Sequence, residues 1–441
     1  YRTVNYRSNL DINLTKSTAL YFGADGFIST KSEPGNNDTD ALWATQRNLT
    51  PITIPTIYST GHLPAYGVDN AYSPYVMLNK TGMTNIRHYR GKATLELKQD
   101  LSMLLKGLKI RAQGAYDTET NLKEIRSIRP EMYYAQTRKY TGELGIIKRV
   151  ESEPAKYTHE DEQFYKVHFE TTATYETTVA KEHRLSALLY YYMSSEQRMN
   201  KDIDAKAETL RSMYAIPIRY QGLSGRITYG FRDTYFMDVN FGYTGSENFQ
   251  SGHRFGFFPS VAVGWIPTQY EFMQRGLPWL NFLKIRASYG TVGNDRLTDE
   301  RFPYLTLMVD GNGGGWGSSS GYITEERVGA NNLRWEKAKK ADLGIEGRLF
   351  NEKLQFVVDF FQDKRDGIYQ RRSQIPSYVG LTQMPFGNVG KMKSYGSDGN
   401  ISFTQDFGKD MTLTLRGNFT YSANKVENWE QAFQPYEYQN Y

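Results

Sequence analysis

The chain has 441 residues, of which 39% are hydrophobic and 14% aromatic, and its 53 basic residues nearly balance 48 acidic ones. Cysteine is absent, which excludes disulfides, zinc–thiolate sites and thiol nucleophiles together. The balanced charge argues against nucleic acid as a ligand, because nucleic acid requires a concentrated basic face. No run of about 18 apolar residues occurs, which excludes a transmembrane helix.

Apolar and polar residues alternate along much of the chain, a pattern that is typical of strands with one apolar and one polar face. Residues 283–290 and 411–421 show it most clearly. The alternation predicts about fourteen strands, at 6–14, 18–28, 88–98, 108–117, 164–178, 183–194, 222–231, 235–243, 257–266, 282–290, 341–350, 354–361, 400–407 and 411–421.

Along the chain, short and long connections between these strands alternate. The odd connections are mostly tight, as at 15–17 and 351–353, whereas the even ones are mostly long, as at 29–87 and 118–163. Outer-membrane barrels have short periplasmic turns, long outer loops, and strands with apolar residues outward and polar residues inward. A closed barrel also satisfies every backbone polar group in lipid.

We therefore predict an all-β fold, a transmembrane antiparallel β-barrel with short periplasmic turns and long extracellular loops. A soluble β-sandwich, solenoid or propeller would also alternate, because one face is core and the other meets water. No repeat of about 40–50 residues is present, which argues against a propeller. Charged residues on the polar strand face, such as Arg111, Glu170, Arg286 and Asp359, are expected to pair across strands.

No string in the chain supports catalysis or metal binding. His159 and Glu160 begin a zinc-protease signature, but Gln163 stands where the second histidine is required. Residues 317–321 match G-x-S-x-G, but they lie in a glycine-rich stretch with no helix after them. We expect no catalytic residue, no metal site and no cofactor.

Four uncommon strings follow one another between about residues 220 and 400: Gly245-Ser246-Glu247-Asn248-Phe249, Gly252-His253-Arg254-Phe255-Gly256, Leu333-Arg334-Trp335-Glu336-Lys337 and Asn388-Val389-Gly390-Lys391. This series closely resembles the SusC/RagA family of TonB-linked outer-membrane transporters from Bacteroidetes. The resemblance implies a barrel of about 22 strands around an N-terminal plug. Residues 1–441 are then expected to be a partial barrel that lacks the plug and the C-terminal strands.

The resemblance also implies a function. It implies TonB-dependent active import of oligosaccharides or peptides across the cell outer membrane, with a SusD-like surface lipoprotein as lid. The TonB complex would act through an N-terminal region absent from this sequence. A passive porin or a surface adhesion barrel is the alternative, and a soluble carbohydrate-binding β-protein is a third reading.

Aromatic residues in the long loops are candidates for contact with the substrate or the lid: Trp43, Trp316, Tyr322 and Trp335. Exposed aromatic rings stack on sugars or anchor a partner protein. The alternative for each is packing of one loop on another.

Overall fold

The fold is described from a computed structural model, which describes residues 1–36, 38–49, 52–66, 72–137, 140–199, 213–296, 301–311, 322–330, 332–381, 383–408, 410–431 and 436–439. Its main feature is one antiparallel sheet of fourteen strands. The strands are β1 (Arg2–Asn13), β2 (Thr18–Pro34), β3 (Gly82–Asp100), β4 (Leu108–Arg129), β7 (Glu153–Val179), β8 (His183–Met199), β9 (Ile218–Phe231), β10 (Tyr235–Ser246), β11 (Phe255–Trp265), β12 (Leu280–Asn294), β15 (Glu336–Leu349), β16 (Leu354–Arg371), β17 (Phe386–Phe407) and β18 (Met411–Asn428).

Each strand from β2 to β17 of this sheet pairs with the sheet strand before it and the one after it, so the chain runs as a continuous meander. Two small hairpins are inserted into long connections: β5 (Met132–Thr137) with β6 (Leu144–Val150), and β13 (Leu307–Gly311) with β14 (Tyr322–Arg327). Within the described residues β1 and β18 do not pair, so the sheet is open between them.

Helical structure is confined to the connections. The α-helices whose bounds lie within the described residues are α1 (Thr39–Asn48), α2 (Pro74–Asn79) and α3 (Glu271–Gly276). Asp38 caps α1 by accepting a hydrogen bond from the backbone N–H of Ala41 at 2.8 Å, which satisfies one of the unpaired donors in the first turn. Among the described residues, no helix has the length and apolar character needed to cross a membrane.

All fourteen predicted strands are present in the sheet, and their short-turn ends agree with the prediction to within two residues. Their other ends run further than predicted. Strand β4 continues to Arg129 rather than ending near 117, and β17 begins at Phe386 rather than near 400. These extensions carry polar residues on both faces, so they have no apolar–polar alternation from which their length could be predicted.

The apolar face of the sheet is exposed to an extent that a soluble sheet does not show, and some carboxylates of the polar face are covered by their ion-pair partners. On the apolar face Leu97 is 42% exposed and Ile227 is 53% exposed. On the polar face Glu96 is only 7% exposed. A soluble sheet buries its apolar face against a second layer, and within the described residues no such layer covers these strands.

The buried apolar side chains are instead concentrated at the long-loop end. One cluster contains Ala65, Val76, Met132 and Val150, and joins the β2–β3 connection to the β5–β6 hairpin. A second cluster contains Phe249, Ala330, Leu333 and Trp335. The apolar packing of the described chain therefore organises the long loops, while backbone pairing holds the wall.

The tight turn before β4 depends on a glycine. Gly107 has a φ of +92°, and a Cβ added to it would lie 2.0 Å from the carbonyl oxygen of Glu176. The Glu176 N–H donates to the Gly107 carbonyl at 3.1 Å, which ties the turn to β7. A side chain at this position would meet both backbone strain and a clash.

We expect Gly107→Ala to destabilise the protein by about 1–3 kcal/mol, because alanine adds strain at positive φ and a steric conflict. Urea unfolding of the full-length protein in detergent measures the change. The matched control is Gly114→Ala in β4, where an added Cβ meets nothing within 4 Å. Equal stability of the two variants would show that the turn does not constrain Gly107.

Candidate functional site

The polar face of β3, β4, β7 and β8 carries a connected group of charges. The Arg111 guanidinium donates to Glu96 Oε2 at 3.1 Å and to Glu170 Oε1 at 2.6 Å. Tyr190 donates its hydroxyl proton to Glu170 Oε2 at 2.9 Å, and His168 Nε2 lies 3.1 Å from the same oxygen. One arginine thus joins two carboxylates from the strands on either side of it, which holds the side chains flat against the wall.

A second group lies on β12, β15 and β16. Arg286 pairs in register with Gly344, which in turn pairs with Asp359. Arg286 Nη2 donates to both Asp359 oxygens at 2.7 Å, and its Nε lies 3.3 Å from Glu346. A Cβ on Gly344 would lie 2.4 Å from Arg286 Nε and 2.3 Å from Asp359 Oδ1. The glycine therefore leaves the space through which arginine crosses a whole strand to reach its partner.

These pairs confirm the prediction that charges on the polar face neutralise one another across strands. A third pair joins Arg226 on β9 to Asp238 on β10 at 3.0 Å. Within the described residues no group of three or more His, Asp or Glu side chains is placed to hold a metal ion. The wall is polar, and many of its charges are paired across strands. Such a surface suits the passage of water and solutes.

At the long-loop end, four of the uncommon sequence strings meet in one place. We call Phe249, Arg254, Trp335 and Asn388, one residue from each string, the motif cluster. Trp335 donates its indole Nε1–H to the Arg254 carbonyl at 3.1 Å, and its ring lies 5.1 Å from that of Phe249. Asn388 Oδ1 accepts from the Arg334 N–H at 2.8 Å, and Asn388 Nδ2 donates to the Arg334 carbonyl at 2.9 Å.

The motif cluster gives these strings a structural role. It joins the β10–β11 connection, the segment before β15 and the start of β17, which are far apart in the chain. The side-chain amide of Asn388 hydrogen-bonds both the N–H and the C=O of Arg334, as the backbone of a neighbouring strand would.

The predicted contact residues lie in different environments. Trp43 projects from α1 and is 62% exposed, whereas Trp335 is 8% exposed inside the motif cluster. No described contact joins these two residues. Trp316 lies outside the described residues; Tyr322 begins β14, and its side chain also lies outside what the structure describes.

The β5–β6 hairpin and its exposed aromatic residues were not among the predictions from the sequence. The segment Leu63–Ala65 lies alongside β5: the Tyr133 N–H donates to the Leu63 carbonyl and the Ala65 N–H to the Tyr133 carbonyl, both at 2.8 Å. Lys148 on β6 lies 3.1 Å from Glu131 and donates a hydrogen bond that lowers the pKa of Glu131 below its ordinary value. The apolar run Leu144-Gly145-Ile146-Ile147 was the available signal.

An open antiparallel wall with an exposed apolar face, a paired polar face and loops gathered at one end defines a class of protein, the outer-membrane β-barrel. Residues 14–439 match the family model described as TonB dependent receptor-like, beta-barrel. The chain belongs to this family. Its apolar strand face therefore meets outer-membrane lipid, and its polar face lines the barrel interior.

Curated relatives agree with this assignment. The chain is 26% identical over 235 residues to TonB-dependent receptor P3 of Formosa agariphila, covering 51% of this chain and 22% of the relative. It is 27% identical over 205 residues to TonB-dependent receptor SusC of Bacteroides thetaiotaomicron, covering 46% of this chain and 20% of the relative. The matched part thus spans about a fifth of each relative's length.

Solved structures show the same fold. The RagAB peptide importer in its open-open state aligns with a TM-score of 0.66 at 19% identity, covering 97% of this chain and 46% of that one. The siderophore receptor PirA from Acinetobacter baumannii aligns with a TM-score of 0.51 at 13% identity, covering 97% and 54%. At these identities the likeness establishes the barrel fold.

We expect Arg286→Gln to destabilise the barrel by about 1–3 kcal/mol, because it leaves the Asp359 carboxylate without its cation, while Glu346 keeps Lys284 at 3.6 Å. Urea unfolding of the full-length protein in lipid vesicles measures the loss. Arg226→Gln is the matched control, because its pair with Asp238 is more exposed and is worth about 0–1 kcal/mol. A larger effect at Arg226 would contradict the role given to Arg286.

A second pair of variants tests which face meets lipid. Val239 and Asn240 are neighbours on β10, and their side chains point to opposite faces. We expect Val239→Arg to cost about 2–4 kcal/mol in a bilayer, because the charge enters hydrocarbon, and Asn240→Arg to cost much less. Folding yield into vesicles measures both. The reverse order would place lipid on the polar face.

Proposed function

We propose that the chain forms part of the barrel of a TonB-dependent importer that takes up oligosaccharides or peptides and works with a SusD-like surface lipoprotein. The observation that carries the proposal is the family match together with an inner wall of charges paired across strands. Import needs no chemistry on the solute, which agrees with the lack of any catalytic constellation in the sequence. The relatives named SusC and RagAB support the same reading.

The alternative is a passive porin or an adhesion barrel. The family to which the chain belongs consists of TonB-dependent receptors, which favours an energy-coupled transporter. The loops favour it as well, since the two apolar clusters fix the long connections in place at the outer end. A fixed outer mouth suits selective capture before transport, whereas a passive pore requires only an unobstructed channel.

Energy coupling distinguishes the two readings. We expect uptake of the native nutrient by cells that carry the full-length protein to fall at least tenfold when TonB is deleted. Uptake through a passive porin depends on the concentration gradient alone and would not change. The control is a small solute that enters through other porins, whose uptake stays the same in both strains. TonB-independent uptake of the nutrient would remove the importer proposal.

Within this proposal Trp43, Trp316 and Tyr322 are the candidate contacts for substrate or lid. The exposed ring of Trp43 supports its place in this set. Trp335 is also a candidate, but its buried ring supports an indirect role, in which it holds the loops that shape the mouth.

We expect Trp43→Ala to reduce nutrient uptake several-fold at unchanged expression, and Trp43→Phe to retain most of it, because phenylalanine preserves an aromatic face. Trp335→Ala should instead lower stability by about 3–5 kcal/mol through loss of a packed core ring. Uptake and urea unfolding are measured on the same variants. Normal uptake by Trp43→Ala would remove this residue from the contact set.

A further inference from the structure

The outer edge of strand β6 has no strand beside it in the described chain. On one side β6 pairs with β5, and β5 is flanked in turn by Leu63–Ala65. This makes a three-stranded arrangement with β6 at its margin. Exposed edges of this kind are templates for pairing with another chain, and proteins usually block them with proline, charge or a covering loop.

The hydrogen bonds of Tyr133 show which groups of β6 are free. Its N–H and C=O both engage Leu63–Ala65, so they point away from β6. Tyr133 stands opposite Lys148. In an antiparallel ladder, when one residue of an opposite pair directs its N–H and C=O away from the partner strand, the other residue does so too. Lys148 therefore directs its N–H and C=O to the free edge. By alternation Ile146 and Leu144 do the same.

The free edge of β6 consequently presents three N–H and three C=O groups, spaced about 6.8 Å apart. No hydrogen bond within the described residues occupies the backbone groups of Leu144, Ile146 or Lys148. Only another extended backbone matches donors and acceptors at that repeat. The segment has high strand propensity and contains no proline that would block pairing.

Side chains beside the edge favour a particular ligand. Tyr134 and Ile147 stand opposite one another and are each about half exposed, which provides an apolar surface next to the edge. Arg149 lies over the Tyr134 ring at 5.8 Å and forms no ion pair within the described part of the chain. Lys148, in contrast, is already held by Glu131 and Glu151. Arg149 is therefore the cation beside the edge that is placed to meet a carboxylate.

We propose that the free edge of β6 binds a short extended oligopeptide carrying a carboxylate, which adds to the hairpin as a further strand. The backbone groups give affinity without regard to sequence, while Tyr134, Ile147 and Arg149 select apolar and acidic side chains. The inference rests on the proposed importer function and narrows its cargo to peptides. A run of three paired positions suits a peptide of a few residues rather than the surface of a folded partner.

The test uses the full-length protein in detergent and a fluorescein-labelled hexapeptide of alternating valine and threonine that ends in aspartate. Fluorescence anisotropy measures its affinity. We expect the same peptide, N-methylated at every amide, to bind at least tenfold more weakly, because neither of its edges then keeps donors that can meet β6. This comparison leaves the protein unchanged, so it does not depend on the folding of a variant. Equal binding of the two peptides would overturn the proposal.

Variants of the protein test the same edge from the other side. Ile146→Pro removes an N–H that points to the free edge and spares the ladder to β5, so we expect at least a tenfold loss of peptide affinity. Ile146→Val keeps the N–H and should bind normally. Arg149→Gln should weaken binding of the peptide that ends in aspartate but not of the same peptide ending in asparagine amide, which carries no carboxylate. Unchanged affinity in Ile146→Pro would contradict the edge as the binding site.

Uptake measurements keep this inference separate from the proposed function. If TonB-dependent uptake persists for an oligosaccharide nutrient and the hexapeptide does not bind, the importer stands and the peptide edge is overturned. If Ile146→Pro binds peptide normally but no longer co-purifies with its surface lipoprotein, the edge belongs to the partner and the peptide proposal is again overturned. Loss of TonB dependence would remove the importer proposal, whatever the peptide result.

Discussion

The structure depends on one constraint: every backbone N–H and C=O that enters hydrocarbon must be hydrogen-bonded within the protein. The meander of fourteen strands meets this constraint along its interior through continuous ladders. Once the backbone is paired in this way, the apolar side chains of one face are free to meet lipid rather than a protein core. This explains why Ile227 can be half exposed while Glu96 is almost fully covered.

The same constraint decides how the polar face is built. Carboxylates packed against the wall lose part of their hydration, as at Glu96 and Glu170, whose side chains are 9% and 14% exposed, and an unpaired charge there is costly. Arg111 and Arg286 each reduce this cost by pairing with two carboxylates from different strands. For Arg286 the geometry works only because Gly344 occupies the intervening strand. A glycine that weakens strand propensity locally therefore makes possible the pairing of charges across it.

The sequence was sufficient to predict the sheet, because lipid on one side and water on the other impose a strict two-residue period. It was not sufficient beyond the bilayer. Where both faces meet water the period disappears, so the outer parts of β4 and β17 could not be recognised. The β5–β6 hairpin was missed for a related reason, since Ile146 and Ile147 form an apolar run rather than an alternation. Trp335 had two readings, contact or packing, and only its burial distinguishes them.

The outer end explains why the four uncommon strings that meet in the motif cluster did not predict a binding site. Phe249, Arg254, Trp335 and Asn388 are held by one another, and their role is to bring three loops to a common point. Selectivity is therefore expected from side chains outside the motif cluster, and strand β6, which belongs to the separate hairpin packed around Val76 and Met132, offers such side chains. Its side chains can change while its backbone groups, which do the pairing, remain the same.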